Sequence, residues 1–163
     1  MKKEIHESFK ELKESAVKYG FQIYGNADGQ GNRFETIYMP DQKYRFGLAY
    51  YFHGIDSQVL QVKNTFKIII GFEETIMALD YDVGTELFHK ETISPFYELL
   101  ETKYCIIAVF ELDIYVFDLA LNQKWSSGFR DIIINHQILG DEEILIECAN
   151  GDRSIISLMH GPK

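Results

Sequence analysis

Apolar residues in the first twenty positions recur at helical steps: Ile5, Phe9, Leu12, Ala16 and Tyr19 are separated by three or four residues, with Lys and Glu between them. Side chains at that spacing share one helix face, so residues 1–20 predict an amphipathic helix closed by Gly20. Its polar face carries Lys3, Glu7, Lys10, Glu11, Glu14 and Lys18 and, with both signs mixed, reads as a solvated surface. Beyond Gly20 the period falls to two, the repeat of a pleated strand. Residues 21–63 predict hairpins: 21–25 and 33–39 flank the Gly- and Asn-rich stretch 25–32, and 44–52 and 58–62 flank 53–57.

From residue 66 the pattern repeats. Residues 66–80 recur 38 residues later at 104–118, sharing Ile68/Ile106, Ile69/Ile107, Phe72/Phe110, Glu73/Glu111, Ile76/Ile114 and Asp80/Asp118 without a gap. Each copy predicts a hairpin with a continuation. A further step of 38 from Ile106 and Ile107 lands on Ile144 and Leu145, where 144–148 and 154–158 pair around Asn150 and Gly151, residues that tolerate positive φ. This third copy needs a short insertion and lacks the closing Asp, so residues 66–158 hold two to three repeats. Short strands without intervening helices indicate an antiparallel meander. No linker divides the chain, and 163 residues fit one domain.

Composition supports the same class. Twelve Phe and ten Tyr favour half-buried sheet surfaces, and a chain of this size buries a core without disulfides or structural metals. Cys105 and Cys148 lie in apolar strand-like runs and read as buried thiols in a reducing compartment, a bridge between them remaining open. The N-terminus lacks an apolar signal core and no run approaches a membrane span, which points to the cytoplasm. The net charge of −9 argues against nucleic-acid backbones and anionic membranes as partners.

Within the repeat, residues 77–88 end a strand in Leu79 and Asp80, turn through Gly84 and re-enter at Phe88; residues 116–125 do so through Phe117, Asp118, Asn122 and Trp125. This pattern resembles the blades of quinoprotein-type and WD-like β-propellers. The resemblance covers residues 66–125 and implies four-stranded antiparallel blades that cannot bury their faces alone. Two clear copies are too few to close a ring. The expected fold is therefore mainly β with an N-terminal α-helix, a meander of blade-like sheets and not a closed propeller. No ligand-bearing position of a propeller cofactor is matched, so no cofactor is implied.

Candidate chemistry is sparse. Asp80 and Asp118 could pair for acid/base or metal work, but an Asp at a strand end commonly caps its own turn. Asn26, Asp28, Gln30 and Gly31 echo a calcium loop, yet Ile37 stands at the bidentate position and strands flank the loop, so a simple turn fits better. The five histidines lack metal-ligand spacing, and no phosphate loop or nucleophile elbow is present.

What the repeat does supply is an acidic rim. Glu73 and Glu74 turn the first hairpin, Glu111 to Asp113 the second, and Asn150 to Asp152 the third, whereas 141–143 belong to the opposite end. With Tyr44, Tyr50 and Tyr51 as aromatic anchors, Glu73, Glu74, Glu111, Asp113 and Asp152 form the expected partner-binding set. The expected function is a non-enzymatic, acidic protein-binding module, similar in size and charge to bacterial immunity proteins that neutralise a basic toxin such as a nuclease. Two other classes stay open: a small-ligand binder or carboxylate-dependent enzyme acting on a sugar, and a structural subunit adding a β-edge to a larger assembly. The oligomeric state is not legible.

Overall fold

The computed structural model describes residues 1–26, 28–40 and 43–162; Ala27, within the turn predicted at 25–32, lies outside them. The chain divides into two compact units, residues 1–56 and 57–163.

The first unit contains β1 (Lys2–His6), α1 (Phe9–Tyr19), β2 (Ile23–Gly25), β3 (Arg33–Tyr38) and β4 (Arg45–Tyr50). The helix starts later than its periodicity suggests. Ser8 caps it, its hydroxyl accepting the Glu11 N–H at 3.3 Å, and Gly20 closes it in the left-handed region at φ +69°, donating to the Ala16 carbonyl. Residues 2–6 instead form an edge strand antiparallel to β3, with Lys2 opposite Tyr38. Ile5 is consequently 60% exposed and takes no part in the helix face. Leu12 does: it is fully buried in a core with Phe34 and Ala49, against which Phe9, Phe21 and Ile23 pack.

The expected strand pairs in this region are rearranged. The sheet runs β1-β3-β4-β2, and β2 lies parallel to β4, Ile23 opposite Gly47. A helix-connected β1 already occupies the edge of β3 that a β2–β3 hairpin would have used. Residues 58–62, expected beside β4, contribute β5 (Gln58–Gln61) to the second unit.

That unit is built on the repeat. Its first sheet is β5-β6-β7-β8, with β6 at Lys67–Phe72, β7 at Thr75–Asp80 and β8 at Thr85–Glu91. The second contains β9 (Phe96–Glu101), β10 (Cys105–Phe110), β11 (Asp113–Asp118) and β12 (Gln123–Gly128). The third has three strands, β13 (Ile133–Leu139), β14 (Glu143–Cys148) and β15 (Arg153–Ser157). Strands β6, β10 and β14 open at Lys67, Cys105 and Glu143, two steps of 38 residues, so the weak third copy is a structural repeat. The insertion lies in its turn: two residues separate β6 from β7 and β10 from β11, but four separate β14 from β15.

All three sheets are antiparallel meanders with side chains alternating between faces. Alternation sends Ile107, Val109, Ile114 and Val116 of the second sheet against Ile133, Ile144, Ile146 and Ile156 of the third, closing one core that includes both unbridged cysteines. Phe88 of the first sheet stacks on Phe117 of the second at 5.2 Å. The protein is mainly β with one helix, in four sheets of three or four strands that form no closed barrel among the described residues.

Asp80 and Asp118 serve the turns. Asp118 accepts the Ala120 and Asn122 backbone N–H groups and the Asn122 amide, and Asp80 accepts the Asp82 N–H. Burial opposes ionisation of Asp118, but these donors outweigh it and hold the carboxyl below its ordinary range. The loop at Asp28 is likewise a turn, its carboxylate accepting the Gln30 N–H.

Candidate functional site

The three hairpin tips lie along one edge of the blade unit, joined by backbone hydrogen bonds. Phe96 and Thr92 donate to the carbonyls of Glu73 and Glu74; one repeat later Ile133 and Phe129 donate to those of Glu111 and Leu112. On the other side of each connection, Glu111 donates to Pro95 and Ala149 to Ile132. The first two tips are therefore also the anchors for the sheets that follow them. This dual use ties down the backbone at those two tips.

Glu74 and Asp152 are exposed, and Glu73 and Glu111 are half-buried. Glu73 sits at φ +48°, the left-handed geometry that a two-residue turn demands. Asp152 is folded into its own turn, accepting the Asn150 amide while its N–H donates to Asn150 Oδ1. Asp113 departs from expectation. It is the first residue of β11, buried, with the Ser94 hydroxyl donating to Oδ2 at 3.2 Å while Ser94 Oγ accepts the Leu112 N–H. A buried carboxylate satisfied by the fold offers no surface to a partner.

The tyrosines belong to the first unit. Tyr50 has no exposed surface: its side chain points into the core and its hydroxyl donates to Oε1 of buried Glu35 at 3.1 Å. It is a core residue, not an interface anchor, because β4 is covered on both faces from Phe46 to Tyr50. Tyr44 is half-buried beside Phe46, burial raising its phenol, and Tyr51 is 40% exposed.

Burial raises three groups beside the rim, and nearby carboxylates add to the effect. Burial, and then the charge of Glu111, raises the Tyr97 phenol. Burial and Asp113 act likewise on Tyr115. Burial pushes the Cys148 thiol up, helped by Asp152 and by Asp131. Asp131 precedes Ile132, whose carbonyl accepts the Ala149 N–H of the third tip, and so stands beside the acidic rim; it was not legible as such because it lies in a connection, outside the repeated hairpin. Among the described residues no three His, Cys, Asp or Glu side chains are grouped to hold a metal ion.

The division into units also partitions the charge. Residues 1–56 carry eight Lys and Arg against eight Asp and Glu; residues 57–163 carry eight against seventeen. The entire acidic excess of nine resides in the blade unit.

No family model matches the chain, and no curated protein sequence matches it. Solved structures do. BamB from Moraxella catarrhalis aligns with a TM-score of 0.50 and 17% identity over 78% of this chain and 41% of that one. BBS1N, solved in complex with ARL6DN, aligns with a TM-score of 0.46 and 9% identity over 76% of this chain and 44% of that one. BamB is a β-propeller-type protein, so the likeness expected from residues 66–125 extends to the fold as propeller-like blades. The chain spans less than half the length of these structures.

Proposed function

We propose that this chain is a non-enzymatic protein-binding module whose blade unit captures a basic protein, as an immunity or inhibitor protein neutralises a cationic toxin such as a nuclease. The observation that carries this reading is the confinement of the whole charge excess to residues 57–163. An excess required only for solubility has no reason to spare one unit completely. A single-sign surface raises the local concentration of an oppositely charged partner and speeds its association. A nuclease is a fitting partner because a surface that binds phosphate is cationic. Glu74, Glu111, Asp131 and Asp152 form the central charges, and Asp113 lies beneath them as structure.

The test is the association rate of a basic protein co-purified with the chain, measured by stopped flow at low and high salt. Replacing Glu74 and Glu111 by Lys should slow association roughly tenfold at low salt and flatten its salt dependence. The same reversal at exposed Glu14 in the charge-balanced unit should change neither. Equal effects at both places, or none at either, would sink the proposal.

A further inference from the structure

The register of the first sheet lines up two cations and an aromatic residue in one cross-strand row. Lys2 of β1 lies opposite Tyr38 of β3, and Tyr38 lies opposite Arg45 of β4. Directly opposed residues share a sheet face, so the row reads cation, aromatic, cation. It is the face that carries α1, because Phe34 and Ala49, further along the same strands, pack with Leu12. The helix ends over the row: Tyr19, its last residue, has the Arg45 guanidinium against its ring.

Arg45 Cζ stands 4.8 Å from the centre of the Tyr19 ring and 5.3 Å from that of Tyr38. Lys2 Nζ lies 5.8 Å from the Tyr38 ring, and Lys18 Nζ lies 4.9 Å from the Tyr19 ring. Each tyrosine therefore serves two cations, and three positive charges are strung along two rings. A guanidinium held over aromatic faces keeps its edge free, and that edge carries the N–H fork that matches a carboxylate. Arg45 is half-buried, whereas Lys2, Lys18 and Tyr19 are exposed.

The carboxylates of this unit are committed elsewhere. Glu35 is buried and pairs with Lys3 and Arg33, and Asp56 pairs with Arg33. Glu14 pairs with Lys10, and Glu11 accepts the Glu7 N–H at the start of the helix. Glu4 reaches the row but accepts the Tyr38 hydroxyl there. Among the described residues no carboxylate forms an ion pair with Lys2, Lys18 or Arg45. The unit is balanced in its count of charges, yet one end of its sheet is cationic.

We propose that this row docks a carboxylate-rich segment of a partner protein, one carboxylate on the Arg45 fork and its neighbours on Lys2 and Lys18. The cations follow one another along the two rings instead of converging on a point. That spacing suits successive acidic residues of an extended chain better than a single compact anion. A nucleic acid carries a charge at every nucleotide, and most of it would face a chain of net charge −9. A short acidic segment can place all of its charge on the row. The inference concerns residues 1–56 and holds whether or not the acidic rim captures a basic protein.

The test titrates the full, nitrogen-15-labelled chain with a synthetic peptide of alternating Asp and Glu, blocked at both ends. Saturable shifts centred on the Lys18, Tyr19, Tyr38 and Arg45 amides are expected, with an affinity that falls as salt is raised. Arg45→Gln should weaken binding roughly fivefold, the upper range for an exposed charge pair. Arg45→Lys should recover only part of that loss, because it keeps the charge without the fork. Lys2→Gln combined with Lys18→Gln, at exposed sites that leave the fold intact, should weaken binding by a similar factor. Lys13→Gln, an equal change of charge elsewhere on α1, should leave it unchanged. Failure to saturate at millimolar peptide, shifts away from the row, or an equal loss from Lys13→Gln would overturn the proposal. So would tighter binding at the row of inorganic phosphate or of a thymidine oligonucleotide, which would make phosphate the ligand. Concentration-dependent broadening of the same amides without peptide, abolished by Arg45→Gln, would overturn it too and make a second copy the occupant.

Discussion

Gly71 offers a direct test of how one blade is seated on the next. It lies in the centre of β6, where a side chain would face the first strand of the second sheet. A Cβ built at this position would stand 2.2 Å from Phe96 Cε2, 2.5 Å from Cζ and 2.6 Å from Cδ2, well inside contact distance. Phe96 cannot swing away freely: it is buried and packs edge-on against Phe110 at 5.5 Å. At the next junction the equivalent residue is Val109, and the residue equivalent to Phe96 is the smaller Ile133, both in the shared core. The two junctions fill the same space by opposite divisions of volume.

Gly71→Val should therefore destabilise by about 1–3 kcal/mol, the usual cost of overpacking. Phe96→Ile alone should cost about 1–2 kcal/mol through the cavity it leaves. The double variant imports the Val109/Ile133 arrangement and should recover at least 1 kcal/mol relative to the sum, a coupling within the range for contacting residues. Urea unfolding followed by circular dichroism gives all three values, and each kcal/mol should move the melting temperature by about 2–4 °C. A Gly71→Val protein as stable as the parent, or strictly additive single changes, would refute the claim that this contact seats the blades.

Other outcomes follow from the same structure. Asp118→Asn should cost about 0.5–1 kcal/mol at neutral pH, discounted for solvent exposure. Because the folded carboxyl titrates below its unfolded value of about 3.9, its contribution is complete above that pH and disappears as pH falls through the folded value. The stability gap between parent and variant should thus close below about pH 4, as urea midpoints across acid pH would show. Tyr50→Phe should lose about 1 kcal/mol by depriving buried Glu35 of a donor, while leaving the salt dependence of partner association unchanged. Glu74→Lys with Glu111→Lys should change that salt dependence while shifting the melting temperature by no more than a few degrees.

How far the chain could be read in advance varied with the kind of signal. The blade repeat was legible because residues 38 apart occupy the same environment, so their polarity had to agree. Even the third copy was visible at Ile144 and Leu145, though its longer turn broke the alignment. The start of the helix was not: Ile5 and Phe9 keep helical spacing, yet the helix begins only after its cap at Ser8 and β3 recruits residues 2–6 as a strand. Tyr50 and Asp113 looked like surface groups because residue type alone does not reveal burial, and β4 and β11 are covered on both faces by elements distant in sequence.

The sequence by itself determined the class of fold, the period of the blades, the structural role of Asp80 and Asp118, and the sign of the net charge. Those properties are local or additive, and neighbouring residues suffice to encode them. Tertiary structure alone decided that the charge excess belongs to one unit, that the acidic tips double as anchors between sheets, and that Tyr50 and Asp113 are buried. Each of these depends on which strands meet across long separations, and a buried position becomes distinct from an exposed one only when its neighbours are in place.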